Sequence, residues 1–158
     1  MPMRRVTLPP DVPGELWLGP MPGRFDSWAE FEGSARRLGL DLVVCLTPRS
    51  ELAELSPQYQ AAVDSGQLAF RWQHLPMPNF GVPRDPQGFR TAVQDLASGL
   101  RAGHSVFLHC AAGIGRTGST AACVLKALGV PLDDALEHVR AAGSNPQNAE
   151  QSGLVGWF

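Results

Sequence analysis

The ten residues HCAAGIGRTG, 109–118, preceded by SVFL at 105–108, constrain this chain more than any other stretch. An apolar run, then a turn with three glycines, then a helix-like segment, imposes the order strand, tight loop, helix. The glycines admit backbone shapes that other residues resist. The helix start then presents free N–H groups where an anion is stabilised. Two chemistries use such a turn. Gly113, Gly115 and Gly118 spell G-x-G-x-x-G, the dinucleotide fingerprint. Cys110 and Arg116 spell C-x5-R, a nucleophile facing a guanidinium that can grip oxyanions.

The segment downstream of the turn discriminates between them. A dinucleotide unit needs a second parallel strand ending in an acidic residue about 20 positions after the glycines. Here KALGVPLDDALEHVRAAG reads as helix, turn, helix, and Asp133 and Asp134 open a helix rather than end a strand. A Walker-type loop would need a lysine where Ser119 stands. The C-x5-R reading needs nothing more from the chain. The backbone of Ala111, Ala112, Gly113, Ile114, Gly115 and Arg116 can curl so that its N–H groups point inward as an anion nest. Gly113 and Gly115 are expected to supply positive φ, and Arg116 a planar fork for two phosphoryl oxygens. The nest and the helix dipole favour a thiolate at Cys110, a competent nucleophile toward phosphorus. Thr117 can donate its hydroxyl to the sulfur, and His109 can order the loop through its ring nitrogens.

With these parts in place, H-C-x-x-G-x-x-R-T-G resembles the signature of the protein tyrosine phosphatase superfamily, in particular its small atypical dual-specificity members. DLVVCLTPRSEL resembles their strand and loop before the second helix, and PGELWLGPMPGR resembles their beginning. PMPNFGVP resembles the mobile loop that carries the general acid, and PQNAEQ, with Gln147 and Gln151, the loop that positions the attacking water. The resemblance implies a phosphatase-like α/β/α sandwich, a phosphocysteine intermediate on Cys110, and no metal or other cofactor. The implied partner is a phosphoprotein or phosphopeptide, with phosphate or another oxyanion seated in the loop. Phosphotyrosine is the expected substrate, with phosphoserine and phosphothreonine as further candidates.

One element departs from the family pattern. Where an aspartate should protonate the leaving oxygen, the chain has Asn79, in PNF rather than PDF. An amide cannot serve as that acid, and such assistance is worth about 10²–10⁴ in rate. Asn79 could be an engineered substitution, or Asp85, the nearest carboxylate, could act instead; Asp85 before Pro86 also reads simply as a helix N-cap. A phosphatase-like module that binds phosphoproteins with little turnover is the third possibility. Phe80 could stack on an aromatic ring. Relatives acting on inositol phospholipids place lysines where Ala111, Ala112 and Ile114 stand, so a protein phosphomonoester fits better. Gln147 and Gln151 could instead form a plain helix face. Some relatives carry a cysteine near Cys45 that pairs with the nucleophile; here core packing is the simpler reading.

The rest of the chain fits one domain over 1–158, of class α/β with a mainly parallel sheet, because strand and helix patterns alternate. Strands are expected at 15–19, 42–46, 68–75 and 105–109. Helices are expected after Asp26 or Ser27, on both sides of Pro57, from Pro86, from Arg116 to Gly129, and over about 132–141 and 147–157. A composition of 44% hydrophobic and 18% charged residues is that of a globular domain. The net charge of −2 gives no reason to expect nucleic acid or an anionic membrane as a partner. No apolar run approaches the roughly 18 residues that span a bilayer, and no apolar core follows Arg4 and Arg5 as a secretory signal would require. Cys45, Cys110 and Cys123 show no metal spacing and suit a reducing cytoplasm.

Overall fold

SVFLH has no polar alternation, as suits a strand covered on both faces, and it becomes β5 (Ser105–His109), buried at every residue. Parallel strands flank it. β2 (Glu15–Gly19) sets Trp17 opposite Phe107, and β3 (Leu42–Cys45) sets Cys45 opposite His109. β4 (Arg71–His74) extends the sheet in parallel beyond β3, while β1 (Arg4–Val6) closes the other edge antiparallel to β2. The order is therefore β1-β2-β5-β3-β4. The structure, a computed structural model, describes residues 3–158; Met1 and Pro2, the first positions of the expected domain, lie outside the described residues.

Helices cover both faces, as a mainly parallel sheet demands. On one face lies α1 (Trp28–Leu38), capped by Ser27, whose Oγ accepts from the Glu30 amide at 3.1 Å, and ended by Gly39 at φ 63°. Its Phe31 and Ala35 pack with Val43 and Phe107. The same side holds α2 (Arg49–Leu55) and α3 (Pro57–Ser65), interrupted at Ser56 because the residue before a proline avoids helical geometry. On the other face α4 (Pro86–Arg101), α6 (Leu132–Ala141) and α7 (Ala149–Trp157) surround α5 (Gly115–Ala127), which is buried from Gly115 to Leu125. Phe89, Val93, Leu96, Ala97 and Leu100 recur at helical spacing, so α4 turns one apolar stripe to this core. Truncating Phe89 to alanine there should cost about 3–5 kcal/mol.

Several expectations change: β3 ends at Cys45 rather than at 46, and α5 spans Gly115–Ala127 rather than 116–129. The strand expected over 68–75 spans only Arg71–His74, because its partner β3 is four residues long and Arg71 already faces Leu42 at its start. β1 is an additional strand, and the last helix begins at Ala149 rather than 147. Among the described residues no strand comes after α5, so the glycines do not open a dinucleotide unit.

Candidate active site

β5 delivers Cys110 to the C-terminal end of the sheet, and α5 begins five residues later. Between them the loop's carbonyl oxygens are drawn outward. Cys110 O meets His109 Nδ1 at 3.1 Å, Ala111 O accepts from the Met21 amide and from Arg24, and Gly113 O accepts from Arg4 and Ser144. Ile114 O accepts from the Asn145 amide and Gly115 O from the Ser119 hydroxyl. A trans peptide sets each N–H opposite the preceding carbonyl. The amides of Ala111, Ala112, Ile114, Gly115 and Arg116 therefore turn inward, the arrangement of an anion nest. The Gly113 amide donates to Cys110 Sγ at 3.2 Å, and Thr117 Oγ1 donates to it at 3.1 Å.

Of the two glycines expected at positive φ, only Gly113 is there, at 75°. A side chain on it would come within 2.4 Å of the Gly19 carbonyl carbon. Gly115 is the first residue of α5 and has helical geometry; a Cβ there would collide with Gln147 Oε1 at 2.3 Å. Its glycine makes room for a neighbouring side chain rather than for an unusual backbone.

Arg116 is only 3% exposed. Its Nη1 and Nη2 hold Glu51 Oε2 and Oε1 at 2.8 and 2.9 Å, and Nη1 also donates to Met77 O at 3.1 Å. Burial works against the Arg116 charge, but the Glu51 bonds and the adjacent Cys110 sulfur outweigh it, and the guanidinium is held above its ordinary value. A bidentate carboxylate fixes the plane of the fork. Glu51 has no sequence spacing that ties it to the loop.

Behind the nucleophile runs a directional relay. His109 Nδ1 must carry a hydrogen to bond the Cys110 carbonyl, so Nε2 accepts from Tyr59 OH at 2.7 Å. Tyr59 O in turn accepts from Trp72 Nε1 at 2.8 Å. Burial drives His109 down to about 4, helped by the charges of Arg116 and His74 and opposed by its bond to Cys110 O. The imidazole is thus neutral and aligned by both nitrogens.

The sulfur lies at the floor of a cleft of about 450 Å³, walled by Arg24, Glu54, Leu55, Asn79, Phe80 and Gln147. Phe80, at φ 58°, is 58% exposed on the rim, and its carbonyl accepts from Asn148 Nδ2 at 2.7 Å. Gln151 is fully buried behind Gln147; its Oε1 accepts from the Gln147 amide at 2.8 Å and its Nε2 donates to Gly81 O. Gln147 therefore faces the cleft, while Gln151 braces it and the Asn79–Phe80 loop.

Asp85 is not brought to this cleft. It caps α4, accepting from the Gly88 amide at 3.1 Å, and lines a separate cavity with Arg84 and His74. Its N-terminal position on α4 fixes it there, outside the walls of the Cys110 cleft. Cys45 is register-paired with His109 and packs with Tyr59 and Met21 on one sheet face; Cys110, one residue after His109, belongs to the core on the other. Cys45 Sγ pairs with Thr47, and burial pushes the Cys45 thiol up, as burial pushes Cys123 to about 12. All three cysteines are free. Arg4, Arg24, Glu51, Tyr59 and Ser144 were not singled out by the sequence; each meets the site through contacts remote in the chain. Among the described residues no group of His, Cys, Asp or Glu is placed to hold a metal, and no helix is long and apolar enough to cross a membrane.

Known proteins resemble this chain in sequence or in fold. A family model described as Swiss Army Knife protein, DSP-PTPase phosphatase domain matches residues 21–151. Protein 067L of Invertebrate iridescent virus 3, named for tyrosine phosphatase activity, is 40% identical over 62 residues; these make up 37% of this chain and 26% of the viral protein, so the match spans about a quarter of that relative. Kinase associated phosphatase (KAP), solved with its catalytic cysteine changed to serine, superimposes with a TM-score of 0.83 at 19% identity, covering 98% of this chain and 92% of that one. Human tyrosine phosphatase-like serine/threonine/tyrosine-interacting protein gives a TM-score of 0.70 at 23% identity over 98% and 93% of the two chains. At such identities these structures bear on the fold alone.

Proposed function

The chain belongs to the PTP-SAK family of DSP-PTPase phosphatase domains, and from that premise we propose that it is a phosphoprotein phosphatase acting on phosphotyrosine through a phosphocysteine intermediate on Cys110. Phosphoserine and phosphothreonine are slower substrates in this reading. The observation that carries it is the sulfur itself: Cys110 Sγ takes hydrogen bonds from the Gly113 amide and Thr117 Oγ1 at the floor of the cleft, beside Arg116. In the first step Sγ attacks phosphorus and the bond to the leaving oxygen breaks. The inward amides and Arg116 stabilise the charge spread over the phosphoryl oxygens. In the second step water attacks phosphorus and gives up a proton to solvent, the P–S bond breaks, and Thr117 stabilises the departing thiolate. Gln147, facing the cleft, orients that water.

Asn79 occupies the wall where the proton donor is expected, and its amide releases no proton, so the leaving oxygen takes its proton from solvent. Turnover should therefore depend steeply on leaving-group quality. Phe80 on the rim favours an aromatic phosphoester, and the loop positions Ala111, Ala112 and Ile114 add no cation for a multiply charged head group. The three free thiols suit a reducing compartment such as the cytoplasm. Asn79 also favours a second reading, a phosphoprotein-binding module with little turnover.

An aryl phosphate with a good leaving group tests the proposal, combined with acid quench and mass analysis of the phosphorylated peptide. Hydrolysis that disappears in Cys110→Ser, with phosphate trapped on Cys110, is the expected result. Hydrolysis that survives Cys110→Ser overturns it. Phosphotyrosine-peptide binding without turnover by the unmutated chain would support the binding module.

A further inference from the structure

We infer that Arg4, on the edge strand β1, is a positioning residue that fixes the Gly113–Ile114 peptide of the anion loop, with Ser144 as its partner. The inference rests on the reading of the loop as an oxyanion site. Arg4 Nη2 donates to Gly113 O at 2.7 Å, and Ser144 Oγ donates to the same oxygen at 2.6 Å. Arg4 Nη1 bonds both Ser144 Oγ, at 3.1 Å, and Ala142 O. One guanidinium thus ties the loop to the turn after α6, and the hydroxyl closes the triangle.

The turn is shaped to admit it. Gly143 has φ 84°, and a Cβ there would come within 2.4 Å of Arg4 Nη1. Any side chain at 143 would thus displace the clamp. Ser144 is buried at 1% exposure, so its hydroxyl has little water to turn to.

The chemical consequence comes from the planar peptide. Holding Gly113 O outward with a charged donor and a hydroxyl holds the Ile114 N–H inward, toward the position of a phosphoryl oxygen. A cationic donor on that carbonyl also polarises the peptide, making its N–H a stronger donor. The positive charge is felt at the nucleophile. Burial pulls the Arg4 guanidinium below its ordinary value, while attraction to Cys110 opposes that. Arg4 touches no substrate; it acts through the loop amide.

The test is oxyanion binding, because it reads the loop whether or not turnover occurs. Tungstate affinity is measured by calorimetry on Cys110→Ser protein carrying Arg4→Ala, Arg4→Lys or Ser144→Ala, and kcat and KM on the same substitutions with Cys110 intact. A loosened loop donor should weaken tungstate about tenfold in Arg4→Ala, less than the roughly 10²–10³ lost from kcat when an oxyanion-hole donor is removed outright. The kcat should fall with little change in KM, and Arg4→Lys should restore part of both, because it keeps the charge but not the fork. Should Arg4→Ala fail to fold, Arg4→Lys and Ser144→Ala carry the same comparison. Folded variants with unchanged tungstate affinity and kcat, differing only in melting temperature, assign a purely structural role and overturn the inference. A parent protein without tungstate affinity overturns the oxyanion-site reading and the inference with it.

Discussion

Lowering the pH should destabilise this protein by a specific and separable amount through His109. The ring is fully buried, donates from Nδ1 to the Cys110 carbonyl and accepts from Tyr59 at Nε2, so a second proton has no place to go. Its folded-state value of about 4 lies below the ordinary 6.5. Between those values the unfolded chain binds a proton that the folded chain refuses, so stability falls as pH drops from about 6.5 toward 4. At about 1.4 kcal/mol per unit, the displacement amounts to about 3 kcal/mol once pH is below both values. For a chain of this size each kcal/mol shifts the melting temperature by about 2–4 °C, so His109 alone should lower it by about 6–12 °C. Carboxylates titrate nearby, so the assay is a comparison: thermal melts of wild type and His109→Asn across about pH 4.5–6.5. Asparagine can keep an N–H for the Cys110 carbonyl but does not titrate. The variant should start less stable at neutral pH and lose less on acidification. Parallel curves for the two proteins would refute the assignment of a neutral, proton-refusing His109.

Glu51→Gln removes the charge that holds the Arg116 fork while keeping its shape. With Glu51 one-fifth exposed, the lower end of the roughly 1.5–3 kcal/mol for a charged hydrogen bond applies, so kcat/KM should fall about tenfold. The measurement is steady-state hydrolysis of a good-leaving-group aryl phosphate. Asn79→Asp should raise turnover of phosphotyrosine, by up to about 10²–10⁴, and barely alter that good-leaving-group substrate; no gain at any pH would show that residue 79 is not the acid position. Asp85→Asn, which retains a good N-cap, should leave both stability and the pH–rate profile unchanged. Loss of an ionisation limb would return Asp85 to the chemistry.

The parts of the site that lie close in sequence were legible because their chemistry is local. Cys110, the loop residues 111–116 and Thr117 are written into one strand–turn–helix, and the stop at Gly39 and the cap at Asp85 are likewise matters of a few residues. Glu51 is 65 residues from Arg116, and Arg4 is 109 from Gly113, and no spacing rule connects such pairs. β1 escaped notice because only Val6 of its three residues is buried, leaving no alternation to detect. The over-long strand at 68–75 failed for a related reason: its length is set by the partner β3, not by its own apolar residues. Gly115 misled because a glycine serves equally for an unusual backbone angle and for the room it leaves a neighbour, here Gln147.

The outward carbonyls of the loop have a kinetic consequence. Apart from the local His109 and Ser119, their partners come from Arg4, Met21, Arg24, Ser144 and Asn145, near the two ends of the described chain. Contacts so distant in sequence carry a larger loop-closure cost than a helix does, so they close after the local helices. During refolding, helix signal should therefore recover before hydrolytic competence does, and the lag measures the docking of the chain's two ends onto its middle.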